Sequence, residues 1–406
     1  MAPTVSLWLS EPHVPRPPAQ GDLSAKVAVV GGGMTGASLA WFLRELGREV
    51  VLLESGVLAG GASGRNAGFV ITGLGEHYAN SIRTYGESDA REIWRINHAN
   101  VDLVEQVVRD AKLADACGYA RRGGLTIARS PQEWDVLQES ARLQNRDGFG
   151  GTLVPADDLN ERLQSVGFAG GILQPRDGEI NSARFVRGLA RAAESHGVRV
   201  FESSPVRAIV REGGRWRLAL PGATVGAEHV VVAANAWARS LSPYLAAHTF
   251  PVRAQVLATD VLRHPGFDLP VYCDYGYEYW RGYEGRAIVG GERPADRAAE
   301  YTDEDALNPK VQAGLLSFLS EHFPTARPVV THRWSGIMCF SEDGLPIVGA
   351  LPEGPNLWCA AGFTGHGFGY AQVSARWIAE AILRGKDGIA PILRVGRVFD
   401  GRKRPQ

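Results

Sequence analysis

Hydrophobic positions along the chain follow two patterns that alternate with each other. Unbroken apolar runs at 27–30, 50–53 and 357–361 are typical of strands buried on both faces of a parallel sheet. Longer stretches with apolar residues at helical spacing predict helices between and after these runs. The predicted helices cover about 34–46, 89–116, 131–143, 184–196 and 370–384.

A β-rich pattern interrupts this alternation. A meander of short strands is predicted at 198–234, and 252–293 is rich in strand-forming and aromatic residues. The order predicts an α/β fold, α+β overall, in which a discontinuous Rossmann-like domain contains an inserted, antiparallel-β-rich substrate domain. We assign 26–90, 155–240 and 328–390 to the Rossmann-like domain, 91–154 and 241–327 to the substrate domain, and 1–25 to an extended surface arm.

The first apolar run leads into a glycine-rich turn. Gly31, Gly33 and Gly36 precede a predicted helix, and Glu54 ends the next apolar run. Such glycines permit a tight turn and a close approach to a pyrophosphate, which the helix N-terminus attracts. A carboxylate at the second strand tip accepts ribose hydroxyls and repels a 2′-phosphate, which disfavours NADP. The pattern predicts an adenine dinucleotide site; the alternative is a glycine-rich turn of another α/β protein.

A second glycine-rich loop follows at 60–68 and carries polar side chains. Ser63, Arg65 and Asn66 offer a hydroxyl, a guanidinium and an amide. With neighbouring backbone N–H groups, they suit a long anionic cofactor that continues past the first phosphate. FAD fits this inventory better than NAD. The alternative is a surface loop without a ligand.

A third glycine-rich loop, at 362–369, follows the apolar run 357–361 and opens a helix. A helix N-terminus aimed at the pyrimidine edge of a flavin would stabilise the negative charge that develops there on reduction. His366 is a candidate proton shuttle, and the alternative is a residue that only packs or hydrogen bonds. For the loop as a whole, the alternative is a turn with no ligand.

Aromatic residues alternate in one segment of the β-rich part. On a strand, Tyr275, Tyr277 and Tyr279 would share one face, with Glu278 and Trp280 on the other. Such a face can hold an organic cation by cation–π attraction, at about 0.5–2 kcal/mol per good contact. A packing face of the sheet is equally consistent with the pattern. The candidate catalytic residues are Tyr277, Tyr279, Arg281 and His366.

Composition limits the class of partner. The 406 residues are 45% hydrophobic, with a formal net charge of −1 and no long single-sign run. A small molecule is therefore expected as partner, rather than nucleic acid or an anionic membrane. Because neither a signal peptide nor a membrane span is apparent, we expect a cytoplasmic protein, as a monomer or small homo-oligomer.

The motifs that are missing also narrow the chemistry. The sequence contains no GxSxG elbow, HExxH helix or P-loop. Its four cysteines lack metal-ligand spacing, so we expect reduced, mostly buried thiols and no metal site. Redox chemistry on a bound cofactor is the economical interpretation.

Six motifs in a common order resemble the D-amino-acid-oxidase-type family of FAD-dependent oxidoreductases. This family includes glycine oxidase, sarcosine oxidase and γ-glutamylputrescine oxidoreductase. The last branch is most similar, in the proline-containing arm, the loop at 61–68 and the residues before Trp237. The motifs lie at 27–54, 61–68, 184–210, 231–237, 334–349 and 361–368.

The resemblance implies FAD and oxidation of a C–N bond. Hydride passes from the carbon beside a neutral amine to flavin N5, and the imine hydrolyses. By position, Val206 would meet the adenine through its backbone, and 365–368 would lie at the pyrimidine edge. The implied cofactor-binding residues are Gly31, Gly33, Met34, Thr35, Gly36, Glu54, Ser63, Arg65, Asn66, Ala67, Gly68, Val206, Ala234, Trp237, Gly336, Asp343, Gly362, Thr364, Gly365, His366, Gly367 and Phe368.

Departures from the family pattern bear on the substrate. Members similar to glycine oxidase place a carboxylate-binding arginine where this chain has Met338. An α-amino acid would then need Arg281 or Arg293, so we favour an amine without an adjacent carboxylate. Covalently flavinylated relatives carry a cysteine at the place of Gly336, so noncovalent FAD is expected although Cys339 is near. The oxygen-activating lysine of those relatives has no counterpart here, which leaves O2 and another acceptor as alternatives.

The sequence thus predicts an FAD-dependent oxidoreductase that converts an amine, such as a γ-glutamylated polyamine or another small amine, to an imine. The alternatives are an amino-acid oxidase or dehydrogenase of the glycine, sarcosine or D-amino-acid type, a flavin monooxygenase, and a non-catalytic FAD-binding partner subunit. A monooxygenase would require a route for nicotinamide, and no second dinucleotide motif is present in the sequence.

Overall fold

A computed structural model describes residues 4–397. The strands are β1 (Gly21–Val30), β2 (Val50–Leu53), β3 (Phe69–Val70), β4 (Gly124–Ala128), β5 (Thr152–Pro155), β6 (Gly170–Gln174), β7 (Gly178–Glu179), β8 (Arg199–Phe201), β9 (Ala208–Glu212), β10 (Arg215–Leu220), β11 (Ala223–Val232), β12 (Thr249–Val261), β13 (Val271–Cys273), β14 (Glu278–Tyr283), β15 (Arg286–Gly291), β16 (Val330–Ser341), β17 (Ile347–Ala350) and β18 (Leu357–Ala361). The helices are α1 (Met34–Phe42), α2 (Tyr78–Tyr85), α3 (Glu87–Asp110), α4 (Ala114–Cys117), α5 (Pro131–Arg146), α6 (Ala156–Leu163), α7 (Ser182–Glu194), α8 (Pro243–His248), α9 (Pro309–His322) and α10 (Gly367–Arg384).

The first sheet is parallel at its centre, as its unbroken apolar strands predict. Its order is β17-β18-β11-β1-β2-β8, with β10 and β9 extending from β11. Strand β1 pairs in parallel with β11 and β2, and β11 pairs in parallel with β18. Helices α1, α7, α10 and α3 pack together over one face, where the largest cluster of buried apolar side chains lies. This arrangement confirms the α/β prediction, and it brings the loops after β1 and β18 to one sheet edge.

The second sheet is mostly antiparallel. Its order is β16-β12-β15-β14-β13-β4-β6-β5, and only the β13–β4 pair is parallel. The long strands β12 and β16 pair with each other along most of their length. A separate apolar cluster covers the sheet under α9, around Trp280 and Phe318.

Strands of the second sheet come from both of the predicted domains. Strands β6 and β16 fall within the ranges 155–240 and 328–390 that the sequence assigned to the Rossmann-like domain, yet they pair in the second sheet. The register of β16 on β12 explains this for the last range, because its residues continue a ladder that starts in the β-rich segment. The exact domain boundaries stay a prediction.

Two local predictions need correction. Tyr275 has a positive φ of 55° inside a 3₁₀ turn at Asp274–Gly276, and the strand begins only at Glu278, so the tyrosines do not alternate along one strand. The predicted surface arm also does more than cover the surface. Trp8 is fully buried against Tyr283, and the residues from Gly21 onward extend β1 beside β11.

The structure also describes the cysteines, the apolar helices and the clusters of possible metal ligands. The four cysteines are free and buried. Among residues 4–397, no helix is long and apolar enough to cross a membrane, and no cluster of His, Cys, Asp and Glu side chains has a metal-binding arrangement.

Candidate active site

The loop between β1 and α1, which we call the nucleotide loop (31–36), is shaped by close backbone contacts. A Cβ at Gly36 would lie 1.8 Å from the carbonyl oxygen of Gly31. Gly31 itself has a φ of +110°, and a Cβ there would lie 2.5 Å from the Ala233 oxygen. Glycine is therefore required at both positions by the protein alone, and α1 can begin directly at the sheet edge.

The acid at the tip of β2 faces this loop. Glu54 Oε2 accepts a hydrogen bond from the Gly32 N–H at 2.6 Å, and Oε1 accepts one from the Gly56 N–H at 2.8 Å. The carboxylate stays partly exposed, so lone pairs remain for a ligand. Sequence reasoning placed Glu54 at this strand tip, and the structure puts it there beside the start of α1.

The polar side chains of 60–68 turn mainly towards the protein. Ser63 Oγ accepts a hydrogen bond from the Met34 N–H at 2.8 Å. Arg65 forms an ion pair with Asp305 at 3.0 Å. Asn66 Nδ2 donates to two carbonyls of its own loop, and its Oδ1 accepts from the Gly68 N–H at 2.7 Å. These side chains fix the loop beside the helix N-terminus.

The loop between β18 and α10, which we call the ring loop (362–367), is more open. Gly362 and Gly365 have φ values of +68° and +83°, and Thr364 is also left-handed at +48°. A Cβ at Gly365 would lie 3.3 Å from Met338 Sδ, whereas a Cβ at Gly367 would meet nothing within 4 Å. The start of α10 therefore faces open space, bordered by Met338.

His366 caps this loop in a defined tautomer. Its Nδ1 lies 3.1 Å from the Thr364 carbonyl oxygen, which can only accept, so Nδ1 carries the proton. Nε2 then accepts from the Tyr272 hydroxyl at 3.3 Å. Burial lowers the pKa of His366, which favours the neutral ring, and burial raises the pKa of Tyr272 to about 12. Both groups are uncharged at neutral pH.

Aromatic rings form a wall beside His366. The rings of Tyr272 and Tyr279 stack with centroids 6.2 Å apart, and Phe69 meets both of them edge-on. Tyr277 lies at the end of the 3₁₀ turn. Tyr279 thus lies against Tyr272, which reaches His366, whereas Tyr275 lies in the 3₁₀ turn. The catalytic role of Tyr279 stays a prediction.

The two candidate arginines differ in their partners. Arg281 is 2% exposed and forms an ion pair with Glu179 at 3.2 Å, so it supports the core. Arg293 lies over the rings of Tyr277 and Phe340, at 5.5 Å and 5.1 Å from their centroids. A Cβ at Gly68 would lie 3.4 Å from Arg281 Nη2, so Arg281 lies beside the loop at 60–68, whereas Arg293 lies beside the two rings; the catalytic role of Arg281 stays a prediction.

A cavity behind the aromatic wall contains polar residues that sequence reasoning missed. Tyr272 and Tyr275 line it together with Asp177 and His77. Asp177 Oδ1 accepts from the Thr72 N–H at 2.9 Å, and burial raises the pKa of Asp177 to about 7. His77 pairs with Glu133 at 2.9 Å. These residues are distant in sequence, so no local motif marked them.

Two buried amides, also unpredicted, hold the start of α10. Asn97 Nδ2 donates to the Gly369 carbonyl at 3.0 Å, and its Oδ1 accepts from the Gly73 N–H at 3.0 Å. Asn100 Nδ2 donates to the Phe368 carbonyl at 2.5 Å. A polar residue on the buried face of an otherwise apolar helical pattern was the signal that could have identified both.

The other predicted cofactor residues fall into three groups. Ala67, Gly68, Gly336 and Phe368 are buried, and Gly336 lies against Arg65, with a Cβ position 3.1 Å from Arg65 Cβ. Thr35 is buried in the first turn of α1. Val206 and Ala234 are partly buried against the apolar cluster on the other face of the first sheet, and Trp237 is 48% exposed. Asp343 is the exception, because Arg397 binds both of its carboxylate oxygens at 2.8 Å.

The residues of the two loops fit the two ends of FAD in their chemistry. The nucleotide loop supplies the helix N-terminus and Glu54 for an adenosine diphosphate. The ring loop supplies open space at Gly367, where a side chain would find no protein contact. The N-terminus of α10 adds a positive dipole end at that space.

Comparisons with known proteins identify the family and the fold. The family model described as FAD dependent oxidoreductase (DAO) matches residues 26–381. Gamma-glutamylputrescine oxidoreductase of Escherichia coli is 28% identical, with 89% of this chain and 84% of the relative covered. The probable oxidoreductase OrdL of Haemophilus influenzae is 26% identical, with 95% and 90% covered. Glycine oxidase from Geobacillus kaustophilus has the same fold, with a TM-score of 0.76 at 21% identity, and the match covers 95% of this chain and 99% of that chain.

Proposed function

This chain belongs to the FAD dependent oxidoreductase family, and on that premise we propose that it oxidises the C–N bond of a small amine to an imine. A γ-glutamylated polyamine is the leading substrate, and the similarity to the gamma-glutamylputrescine oxidoreductase of Escherichia coli supports this choice. That relative and this chain align over most of both lengths, at 28% identity.

The position of Met338 is the observation that carries the substrate class. Its sulfur borders the ring loop at Gly365, where members similar to glycine oxidase use an arginine to bind the α-carboxylate. A thioether cannot form an ion pair. An amine without a carboxylate on the oxidised carbon therefore fits this place better than an α-amino acid does.

The residues expected to hold FAD are those of the two loops with Glu54. Glu54 would accept the ribose hydroxyls, the N-terminus of α1 would face the pyrophosphate, and the ring loop would face the pyrimidine edge. When bound, FAD supplies a hydride acceptor at N5. The protein's part is to place the amine and to keep it neutral, because an ammonium has no lone pair to stabilise the developing cation.

Tyr272 is suited to place the amine nitrogen. Its hydroxyl donates to His366 Nε2 at 3.3 Å, so its own lone pairs remain to accept from an amine N–H. The apolar rings of Phe69 and Tyr279 beside it exclude water, and a drier site favours the neutral form of an amine. His366 acts through Tyr272 and is a positioning residue in this scheme.

We propose noncovalent attachment of FAD. Cys339, the cysteine nearest in sequence to Gly336, is 1% exposed within β16. Burial raises the pKa of its thiol, which disfavours the thiolate needed to attack a ring. Acid precipitation of the yellow protein should release all FAD into the supernatant. Flavin retained in the pellet would contradict noncovalent binding.

The test of the proposed activity is product analysis with γ-glutamylputrescine. We expect imine-derived aldehyde and ammonia to form without NADH, with a weaker reaction from glycine, sarcosine and D-alanine. Met338→Arg should raise the reaction with α-amino acids at least tenfold relative to Met338→Leu, because it restores a carboxylate-binding cation. NADH consumption without an amine would contradict the proposal and favour a monooxygenase.

A further inference from the structure

Arg293 differs from the other arginines near the candidate site in its partners. Arg281 pairs with Glu179, and Arg65 pairs with Asp305. Across residues 4–397, no carboxylate lies within ion-pair distance of Arg293. Its guanidinium instead lies over two aromatic rings. A half-buried guanidinium without an acid is available for an anionic ligand.

The two rings hold this guanidinium in place. Its central carbon lies 5.5 Å from the Tyr277 ring centroid and 5.1 Å from that of Phe340. Contacts with ring faces use the flat surface of a guanidinium and leave the in-plane N–H groups free to donate. Those N–H groups match the two oxygens of a carboxylate.

Arg293 lies near the part of β16 that borders the ring loop. Phe340 lies two residues after Met338 on β16, so both side chains share one face, about 7 Å apart along the strand. Met338 borders Gly365, and Phe340 bridges to Phe363 at the start of the ring loop. Arg293 therefore lies at the border of the site, displaced along β16 from Met338.

We propose that Arg293 binds a substrate carboxylate that is several bonds away from the oxidised carbon. This inference rests on the proposed amine oxidation and names its substrate class, an amine with a remote acid group. An α-amino acid carries its carboxylate on the oxidised carbon, beside Met338. A cation displaced along the strand selects instead a substrate whose acid and amine are separated by a chain.

The first test measures binding of a carboxylate that cannot be oxidised. Glutarate and pentanoate are titrated into the holoenzyme while the flavin difference spectrum is recorded. We expect saturable binding that weakens at least tenfold in Arg293→Gln and is unchanged in Arg297→Gln, a matched loss of charge in the same helical segment at Arg293–Glu300. Equal affinity in wild type and Arg293→Gln, or no binding to wild type, would overturn the proposal.

The second test compares two amines that differ in one group. N-(4-aminobutanoyl)putrescine lacks only the carboxylate of γ-glutamylputrescine. In anaerobic mixing, the wild type should be reduced at least tenfold more efficiently by γ-glutamylputrescine, and Arg293→Gln should lose this preference while it retains the rate with the analogue that lacks the carboxylate. Equal efficiency of both amines in wild type would contradict the role of Arg293 and leave amine oxidation intact. If no amine reduces the flavin, the proposed function fails, and the glutarate titration still decides whether Arg293 binds a carboxylate.

Discussion

The two strand–loop–helix units of the candidate site look alike in sequence but are constrained differently. In the nucleotide loop, a Cβ at Gly36 would lie 1.8 Å from a backbone oxygen. In the ring loop, a Cβ at Gly367 would meet nothing within 4 Å. Both glycines lie within the first turn of a helix that begins at the edge of the same sheet. The protein itself requires the first glycine, whereas no contact within the described protein requires the second.

This difference teaches how to separate a structural glycine from a functional one. A tight backbone contact explains Gly36 without any cofactor, although the same contact brings α1 to the place where a pyrophosphate binds. The open space at Gly367 has no such structural cause. A ligand at the start of α10 is the explanation for this glycine that the proposed function offers, and it can be tested by substitution.

The largest expected effect comes from Gly36→Ala. The new methyl group would overlap the Gly31 carbonyl, so α1 must move away from β1. We expect a loss of at least about 3 kcal/mol in the free energy of unfolding, or failure to fold. Thermal and urea unfolding measure this loss. Near wild-type stability would show that the protein does not require a glycine at position 36, and the contrast between the two loops would be lost.

Gly367→Ala is the matched opposite. Alanine favours a helix over glycine by about 0.5–1 kcal/mol, and no protein atom would be displaced. We expect the apoprotein to be as stable as wild type or slightly more stable, with FAD binding weakened about tenfold, or about 1.4 kcal/mol. Flavin fluorescence titration of the apoprotein measures the affinity. Unchanged FAD affinity would show that the open space serves another purpose.

Tyr272→Phe tests the role of a single hydroxyl group beside the ring loop. The variant keeps the ring in the aromatic wall but removes the hydroxyl that donates to His366 at 3.3 Å. We expect flavin reduction by amine to slow about tenfold, about 1.4 kcal/mol, with FAD content unchanged. Tyr283→Phe, whose hydroxyl meets Asn181 instead, should reduce normally. Equal reduction rates in Tyr272→Phe and wild type would remove Tyr272 from the mechanism.

The smallest effect concerns pH. Burial lowers the pKa of His366, so the unfolded chain takes up this proton at a higher pH than the native state does. Stability therefore falls as the pH drops below about 6.5, by at most about 1 kcal/mol from this residue between pH 6.5 and 5.5. Denaturant unfolding at both pH values should give a smaller decrease for His366→Asn than for wild type. An equal decrease would mean that His366 keeps its ordinary pKa.

The nucleotide-binding side was predictable because its signals are local. Apolar runs, glycines and Glu54 follow one another within a single βαβ unit, and short-range sterics decide their geometry. Strand β18 (Leu357–Ala361) matches the predicted apolar run for the same reason. Helix starts and ends shifted by a few residues where capping decided them, as at Asn181 before α7.

The substrate side could not be read in the same way, because its residues meet only after folding. Tyr272 reaches His366 across 94 positions, and His77 reaches Glu133 across 56. The alternation around Tyr275 was misread because a left-handed turn at that residue breaks the strand period. Tyr272 and Tyr279 come together there by ring stacking and burial, and these tertiary contacts produce no periodic pattern in the sequence.

Anaerobic mixing of the holoenzyme with γ-glutamylputrescine, while the visible flavin band is followed, tests the central claim most directly. Bleaching by this amine, with glycine and D-alanine at least tenfold less efficient, is the predicted result. Bleaching by α-amino acids alone would contradict the account, because it would require an α-carboxylate site beside Met338.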